Sequence, residues 1–273
     1  MCLIAFAIGT DPLEPVRLAS NRDEYLDRPT AALHPWTLKN GIRVLAGRDL
    51  REGGTWLGLS ETGRIAMLTN VRSAGAATGD RSRGALVAGW LGSEQPFDDW
   101  LSTLDVAAYG GFNLVVGDWA GEDWHWVSNR DPRTPHTDHC PGVFRRPLQP
   151  GVYALSNASL NTPWHKSERL RMALSDPNFS SAVDVLADQM PATPALLPDT
   201  GVPPEVEAAL ACPFVRMPSR GYGTRSSLTL CIRRDIQTGS DPLTASLREW
   251  THVAGSRHEW AAAPTVSTRW SLS

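Results

Sequence analysis

The stretch Met1-Cys2-Leu3-Ile4-Ala5-Phe6-Ala7-Ile8, followed after a turn by Arg17-Leu18-Ala19-Ser20-Asn21-Arg22-Asp23-Glu24, decides how this chain is read. Cys2 opens an apolar run of strand length, and Gly9-Thr10-Asp11-Pro12 supplies turn residues before a second strand over 16–20. Antiparallel strands joined by a short loop return the end of the second to the start of the first. The polar run Asn21 to Glu24 is therefore expected beside Cys2. Cysteine at the second position is small enough to permit removal of Met1, which would leave a thiol and an α-amine on one residue. A thiol with a pKa of about 8.5 and an α-amine near about 8 can exchange a proton at neutral pH, so no histidine is needed as base. The competing reading makes Cys2 a small buried hydrophobe, the usual role of a free cysteine.

The 273 residues, 41% of them hydrophobic, are enough for a sizeable core and are read as a single domain over 1–273. A net charge of -3 with scattered basic residues gives no nucleic-acid footprint, and Lys39 and Lys166 are the only lysines beside many arginines. No apolar stretch approaches the roughly 18 to 20 residues of a membrane span. The start has no basic segment, and residues 3–8 are shorter than a signal-peptide core of about 7 to 15 residues, so a cytoplasmic location is expected. The cysteines at 2, 140, 212 and 231 form no C-x-x-C pair; neither a disulfide framework nor a structural zinc site is expected, and no cofactor. His136, His139 and Cys140 form the one cluster with metal-ligand chemistry, but lack the second ligand pair of a closed zinc shell and read as a solvated loop.

Along the rest of the chain, 25–54 is rich in proline, glycine and charge and reads as a long covering loop. Residues 55–60 and 64–70 flank the Glu61-Thr62-Gly63 turn as a hairpin. Helices are expected over 85–91, stopped by Gly92, and from Pro96 onward, where Phe97, Trp100, Leu101 and Leu104 share one face. A second hairpin is expected over 113–117 and 123–127, then a loop over 129–150 and a strand over 151–157. Thr162 as N-cap and Pro163 at the first helical position predict a helix to about Leu174, with further helices over 182–190 and 205–211. Alternating residues predict strands over 224–233, 247–252 and 265–272. Strands, a helical block and strands again argue for two antiparallel sheets packed face to face with helices outside.

Three segments together carry a resemblance. Met1-Cys2-Leu3-Ile4 with Ser20-Asn21-Arg22-Asp23-Glu24-Tyr25 and Asp27-Arg28-Pro29, then Gly53-Gly54-Thr55-Trp56-Leu57-Gly58 running into Leu68-Thr69-Asn70, then Gly221-Tyr222-Gly223-Thr224-Arg225-Ser226-Ser227, resemble the NRDE-motif family, whose eukaryotic members are called transport and Golgi organisation protein 2. Leu155-Ser156-Asn157 and Thr162-Pro163-Trp164 extend the likeness over essentially the whole chain. The resemblance implies a branch of the N-terminal-nucleophile hydrolases: an α+β, four-layer αββα sandwich with two mainly antiparallel sheets, similar to penicillin V acylase and bile salt hydrolase. In those enzymes an N-terminal cysteine attacks an amide, an arginine and an aspartate after the second strand orient it, asparagines contribute the oxyanion hole, and a late strand supplies an arginine. The positions implied here are Cys2, Arg22, Asp23, Asn70, Asn157 and Arg225, with Asn21, Glu24 and Trp56 beside the substrate. Arg22 and Asp23 are adjacent, whereas the acylases separate the corresponding pair by two residues.

Each position also has an ordinary reading. Arg22 and Asp23 could be an ion pair closing the hairpin mouth. Asn70 and Asn157 could be strand-ending turn residues. Arg225, on a strand of small and apolar residues, needs a partner such as Asp23, Glu24 or an anionic substrate, or reaches water. Three functions stay open: an N-terminal-cysteine hydrolase of an amide or related acyl bond in a small molecule; a non-catalytic carrier of haem or acyl lipid, supported by Cys140-Pro141, Cys212-Pro213 and the many tryptophans; and a trafficking or Golgi-organisation partner protein, suggested by the family's name.

Overall fold

The computed structural model describes residues 2–75, 79–137, 140–236, 242–252 and 263–271. The chain runs through β1 (Cys2–Ile8), β2 (Val16–Tyr25), β3 (Thr30–Thr37), β4 (Arg43–Asp49), β5 (Leu57–Ser60) and β6 (Arg64–Asn70), then α1 (Gly84–Leu91) and α2 (Phe97–Ser102). It continues through β7 (Phe112–Asp118), β8 (His125–Ser128), β9 (Phe144–Pro147) and β10 (Gly151–Leu155) to α3 (His165–Ala173), α4 (Ser180–Ala187) and α5 (Pro204–Leu210). The last strands are β11 (Arg216–Met217), β12 (Tyr222–Arg234), β13 (Leu243–Thr251) and β14 (Val266–Ser271).

Two seven-stranded antiparallel sheets result. One follows the order β10-β1-β2-β12-β13-β14 with β11 paired to β12; the other is a meander from β3 to β9. Strand alternation assigns each sheet two apolar faces. Ile4, Phe6 and Ile8 of β1 meet Leu57, Leu59, Ile65 and Met67 between the sheets. The alternate residues Leu3, Ala5 and Ala7 pack on Leu170 and Leu174 of the α3 region and on Ala182 and Leu186 of α4. Ala66, Leu68 and Val116 of the second sheet face Leu86, Val87 and Trp90 of α1. The layers are therefore helices, sheet, sheet, helices: the four-layer αββα sandwich expected from the sequence. Polar bonds tie the sheets together at one end. Thr69 Oγ1 donates to the Ser156 carbonyl at 2.5 Å, Asn113 Nδ2 to that of Ala158 at 2.7 Å, and the Leu33 N–H to buried Glu249 at 2.6 Å.

Four expectations need correction. Residues 25–54 are not a covering loop, since β3 and β4 lie there. β3 is an edge strand bulged between Ala31 and His34, and an edge tolerates its Pro35. β9 falls inside the expected 129–150 loop for the same reason: its Arg145, Arg146 and Pro147 occupy the other edge. β2 continues to Tyr25, because β12 pairs along Asn21 to Tyr25 and satisfies a backbone that the charges had suggested was loop. α3 starts at His165 with Trp164 as N-cap, while Thr162 Oγ1 bonds back to the Ser159 N–H and carbonyl and closes a turn. Leu272, at the end of the last expected strand, lies outside the described residues.

Phe6 is fully buried and stacks on Trp124 at 5.8 Å and Tyr153 at 5.3 Å between ring centroids. Phe6→Ala leaves a cavity between the sheets and is expected to cost about 3–5 kcal/mol, read as a lowered urea midpoint.

Candidate active site

Cys2 shares the inter-sheet face with Ile4 and Phe6, and its registered partner on β2 is Arg22. At this end the sheets part around a cavity of about 450 Å³. Its wall comes from the start of β1, Arg22 to Tyr25 of β2, the 49–56 turn, Leu68 and Asn70 of β6, and the 79–84 segment entering α1. Cys2 is 8% exposed, and Ser156 Oγ donates to its carbonyl at 3.1 Å. Burial pushes the Cys2 thiol up and the Asp23 carboxylate adds to that, while the Arg22 charge and the Asp23 backbone N–H pull it down.

The Arg22 guanidinium lies 4.0 Å above the Trp56 ring centroid and 3.6 Å from Glu24 Oε2. Burial lowers its pKa, and Glu24 is the largest opposing influence. Gly47 on β4 makes room for the indole, since a Cβ there would sit 2.4 Å from the ring. Glu24 also faces Arg28 at 3.9 Å, and Arg28 pairs with Asp49 at 2.7 Å. Two arginines and two carboxylates thus compensate one another along the wall.

Asp23 is 1% exposed, and its Oδ1 accepts from Thr224 Oγ1 at 2.6 Å. Burial raises its pKa, against the pull of Lys166 and Arg72. Lys166 is itself buried, donates to the Leu210 carbonyl at 2.7 Å, and is pushed down to about 8 by burial and by Arg72.

The two asparagines work in series. Asn157 Nδ2 donates to both the backbone carbonyl and Oδ1 of Asn70, each at 3.0 Å. Asn157 Oδ1 accepts from Arg72 Nη2 at 3.4 Å, and Arg72 pairs with buried Glu207. Asn70 lines the cavity and Asn157 stands behind it. Because its oxygens face Asn157, the Asn70 amide donors are left on the cavity side, with no hydrogen bond to a described residue. A preorganised donor of this kind suits a developing oxyanion.

Of the residues picked out in the sequence, Cys2, Arg22, Asp23, Glu24, Trp56 and Asn70 line this one cavity. Asn21 and Arg225 do not. Asn21 points to the helix side, donating to the carbonyls of Leu186 at 2.8 Å and Pro213 at 2.9 Å and accepting from Ser227 Oγ. Arg225 spends its Nη1 on the carbonyls of Tyr25 at 2.8 Å and Arg28 at 3.1 Å, bracing the end of β2. The sequence reading missed Asp49, Thr55, Ser82 and Arg83 on the wall, and Arg72, Lys166 and Glu207 behind it. Their signal was faint: a polar, glycine-rich 71–83 segment, and one of only two lysines placed in an otherwise amphipathic helix. His136 stacks on Trp164 at 5.9 Å and its Nδ1 lies 2.6 Å from the Arg72 carbonyl, whereas His139 of the suspected metal cluster lies outside the described residues. Among the described residues no group of three or more His, Cys, Asp or Glu could hold a metal ion, and no helix is long and apolar enough to cross a membrane.

The fold is a four-layer αββα sandwich with a cysteine at the start of its first strand. Residues 1–239 match the family model for Transport and Golgi organisation 2, and the chain belongs to that family. The Transport and Golgi organization protein 2 homolog of Bos taurus is 32% identical over 276 residues, 89% of this chain and 95% of that protein. The Homo sapiens homolog is 32% identical over 265 residues, 86% of this chain and 90% of that protein. Solved structures with a related layout include the Caenorhabditis elegans ortholog of N-acylethanolamine-hydrolyzing acid amidase, at 14% identity and TM-score 0.45, covering 68% of this chain and 85% of that one. A mutant conjugated bile acid hydrolase from Clostridium perfringens matches at 10% identity and TM-score 0.47, covering 99% of this chain and 96% of that one.

Two outcomes follow from the buried charges. Glu207→Ala leaves Arg72 buried without its carboxylate and is expected to lower stability by about 3–5 kcal/mol, measured by urea unfolding. Lys166, with a pKa of about 8 against 10.5 for an ordinary lysine, has released its proton in the folded chain at a pH where the unfolded chain still holds it. Wild type is therefore expected to gain stability relative to Lys166→Met as pH rises from about 8 towards 10.5. A flat difference across that interval would show that Lys166 titrates normally.

Proposed function

We propose that the chain is an N-terminal-cysteine hydrolase of a linear amide or related acyl bond in a small molecule, carried on a single domain. The observation that supports it most is that Cys2, Arg22 and the donor face of Asn70 share one cavity wall. Once Met1 is removed, the Cys2 α-amine takes the thiol proton and the sulfur attacks the acyl carbon. Asn70 Nδ2 donates to the oxyanion while Asn157 holds its carboxamide in place. The tetrahedral adduct collapses to a thioester as the leaving amine takes the proton from the α-ammonium group. Water, deprotonated by the same α-amine, then attacks the thioester, and the acid departs with the thiol restored.

A haem or acyl-lipid carrier on this fold would need an apolar pocket. Beside Trp56 and Leu68 the wall is dominated by arginine and carboxylate side chains, which favours a small polar substrate. No described feature favours the trafficking-partner reading.

Cys2 and Cys212 are equally shielded, at 8% and 7% exposure, and burial raises both thiols, so burial alone predicts equal reactivity. The hydrolase reading expects intact mass to show Met1 removed and iodoacetamide at neutral pH to label Cys2 well before Cys212. On a panel of chromogenic linear amides, Cys2→Ala is expected to abolish turnover, and Asn70→Ala to lower kcat by about 10²–10³-fold. Retention of Met1, or equal labelling of the two cysteines, sinks this reading.

A further inference from the structure

Among the described residues, two of the five arginines on the cavity wall have an ion-pair partner. Arg22 faces Glu24, and Arg28 is held by Asp49. Arg51 and Arg81 at the rim are exposed, so water solvates their charge. Arg83 differs. It is half-buried on the same wall as Cys2 and Asn70, and no carboxylate among the described residues forms an ion pair with it. Its one hydrogen bond to a described residue runs from Nη1 to the Gly111 carbonyl at 3.2 Å, which leaves the other donors of a cavity-lining guanidinium without a hydrogen bond to a described residue. A cation withdrawn from water without a partner carries a desolvation cost that a bound anion would relieve. Burial lowers the Arg83 pKa, and the charges opposing that are Glu24 first and then the Cys2 sulfur, which places the guanidinium within electrostatic reach of the nucleophile.

We infer that Arg83 is the receptor for a carboxylate on the substrate, and that the amides this site takes carry one carboxylate near the scissile bond. The planar fork suits a carboxylate through paired N–H···O bonds. The inference rests on the hydrolase reading above for the location of the scissile bond, but its test needs no turnover.

The experiment uses Cys2→Ala protein, which can bind without reacting. Calorimetric titration compares butyryl-4-nitroanilide, which is uncharged, with glutaryl-4-nitroanilide, whose carboxylate is on the acyl side, and 5-butyramido-2-nitrobenzoate, whose carboxylate is on the amine side. At least one charged probe is expected to bind about tenfold tighter than the neutral one, the factor typical of a hydrogen bond to a charged group. Adding Arg83→Gln should erase that preference, and Arg83→Lys should keep part of it, with thermal melting confirming that each variant is folded. Equal affinity for all three probes in the Cys2→Ala protein overturns the inference without reference to any Arg83 variant. A preference that survives Arg83→Gln also overturns it, by assigning the anion to another residue. Failure of the hydrolase reading has a different signature: wild type leaves every amide intact and Cys2 labels no faster than Cys212.

Discussion

The structure depends on the burial of β1 on both of its faces. The strand lies between β2 and β10, and every one of its residues is buried. Odd and even residues belong to different layers: Leu3, Ala5 and Ala7 to the helices, Cys2, Ile4, Phe6 and Ile8 to the inter-sheet core. With a side-chain period of two, a register slip of one residue would exchange the two sets, placing Leu3 in the cavity and the thiol against α3. Both faces resist that slip, so the position of Cys2 opposite Arg22 is fixed by apolar packing along the whole strand.

The charged residues around the cavity serve position more than stability. Replacing a buried ion pair by apolar residues is often neutral or stabilising, so Arg72 with Glu207 is weak evidence for a stabilising device. Its geometry says more. Glu207 holds Arg72, Arg72 reaches Asn157, and Asn157 turns both oxygens of Asn70 away from the cavity. One ion pair and the hydrogen bonds that follow it together select one of two carboxamide orientations. The donor face of Asn70 is thus determined by residues from α5 and from the turn after β10, which meet only in the folded chain.

What was legible in the sequence tracks this division. The β1–β2 hairpin, the layer order and the two helices after β6 follow from hydrophobic periodicity and turn residues, which are local signals. That Asn21 to Glu24 lie near Cys2 follows from the hairpin, but that Arg22 is the one opposite it required the strand register. β3 and β9 were hidden because edge strands carry the prolines and charges that otherwise mark loops. The placements of Asn21 and Arg225 depend on partners far along the chain, Leu186 and Pro213 for one and the backbone of Tyr25 and Arg28 for the other. No local pattern reports such pairings. Arg83 was missed for a related reason: an arginine in a polar segment normally faces water, and only the closure of the 79–84 segment over the sheets sets it beside Cys2.

Burial by itself works against the thiol. Cys2, Cys212 and Cys231 are 8%, 7% and 6% exposed, and burial raises the pKa of all three. A lone thiolate at Cys2 would therefore be disfavoured, and the neighbouring Arg22 and Asp23 charges pull in opposite directions. The α-amine that removal of Met1 would give Cys2 changes the comparison. Transfer from thiol to α-amine creates two opposite charges a few ångströms apart, so their attraction grows in the low-dielectric surroundings that penalise each alone. An external base would separate those charges and forfeit much of the gain. The more completely the sandwich buries Cys2, the greater the advantage such an α-amine would have over any distant histidine, and the burial that raises the thiols of Cys212 and Cys231 is compatible with the proposed nucleophile at this one position.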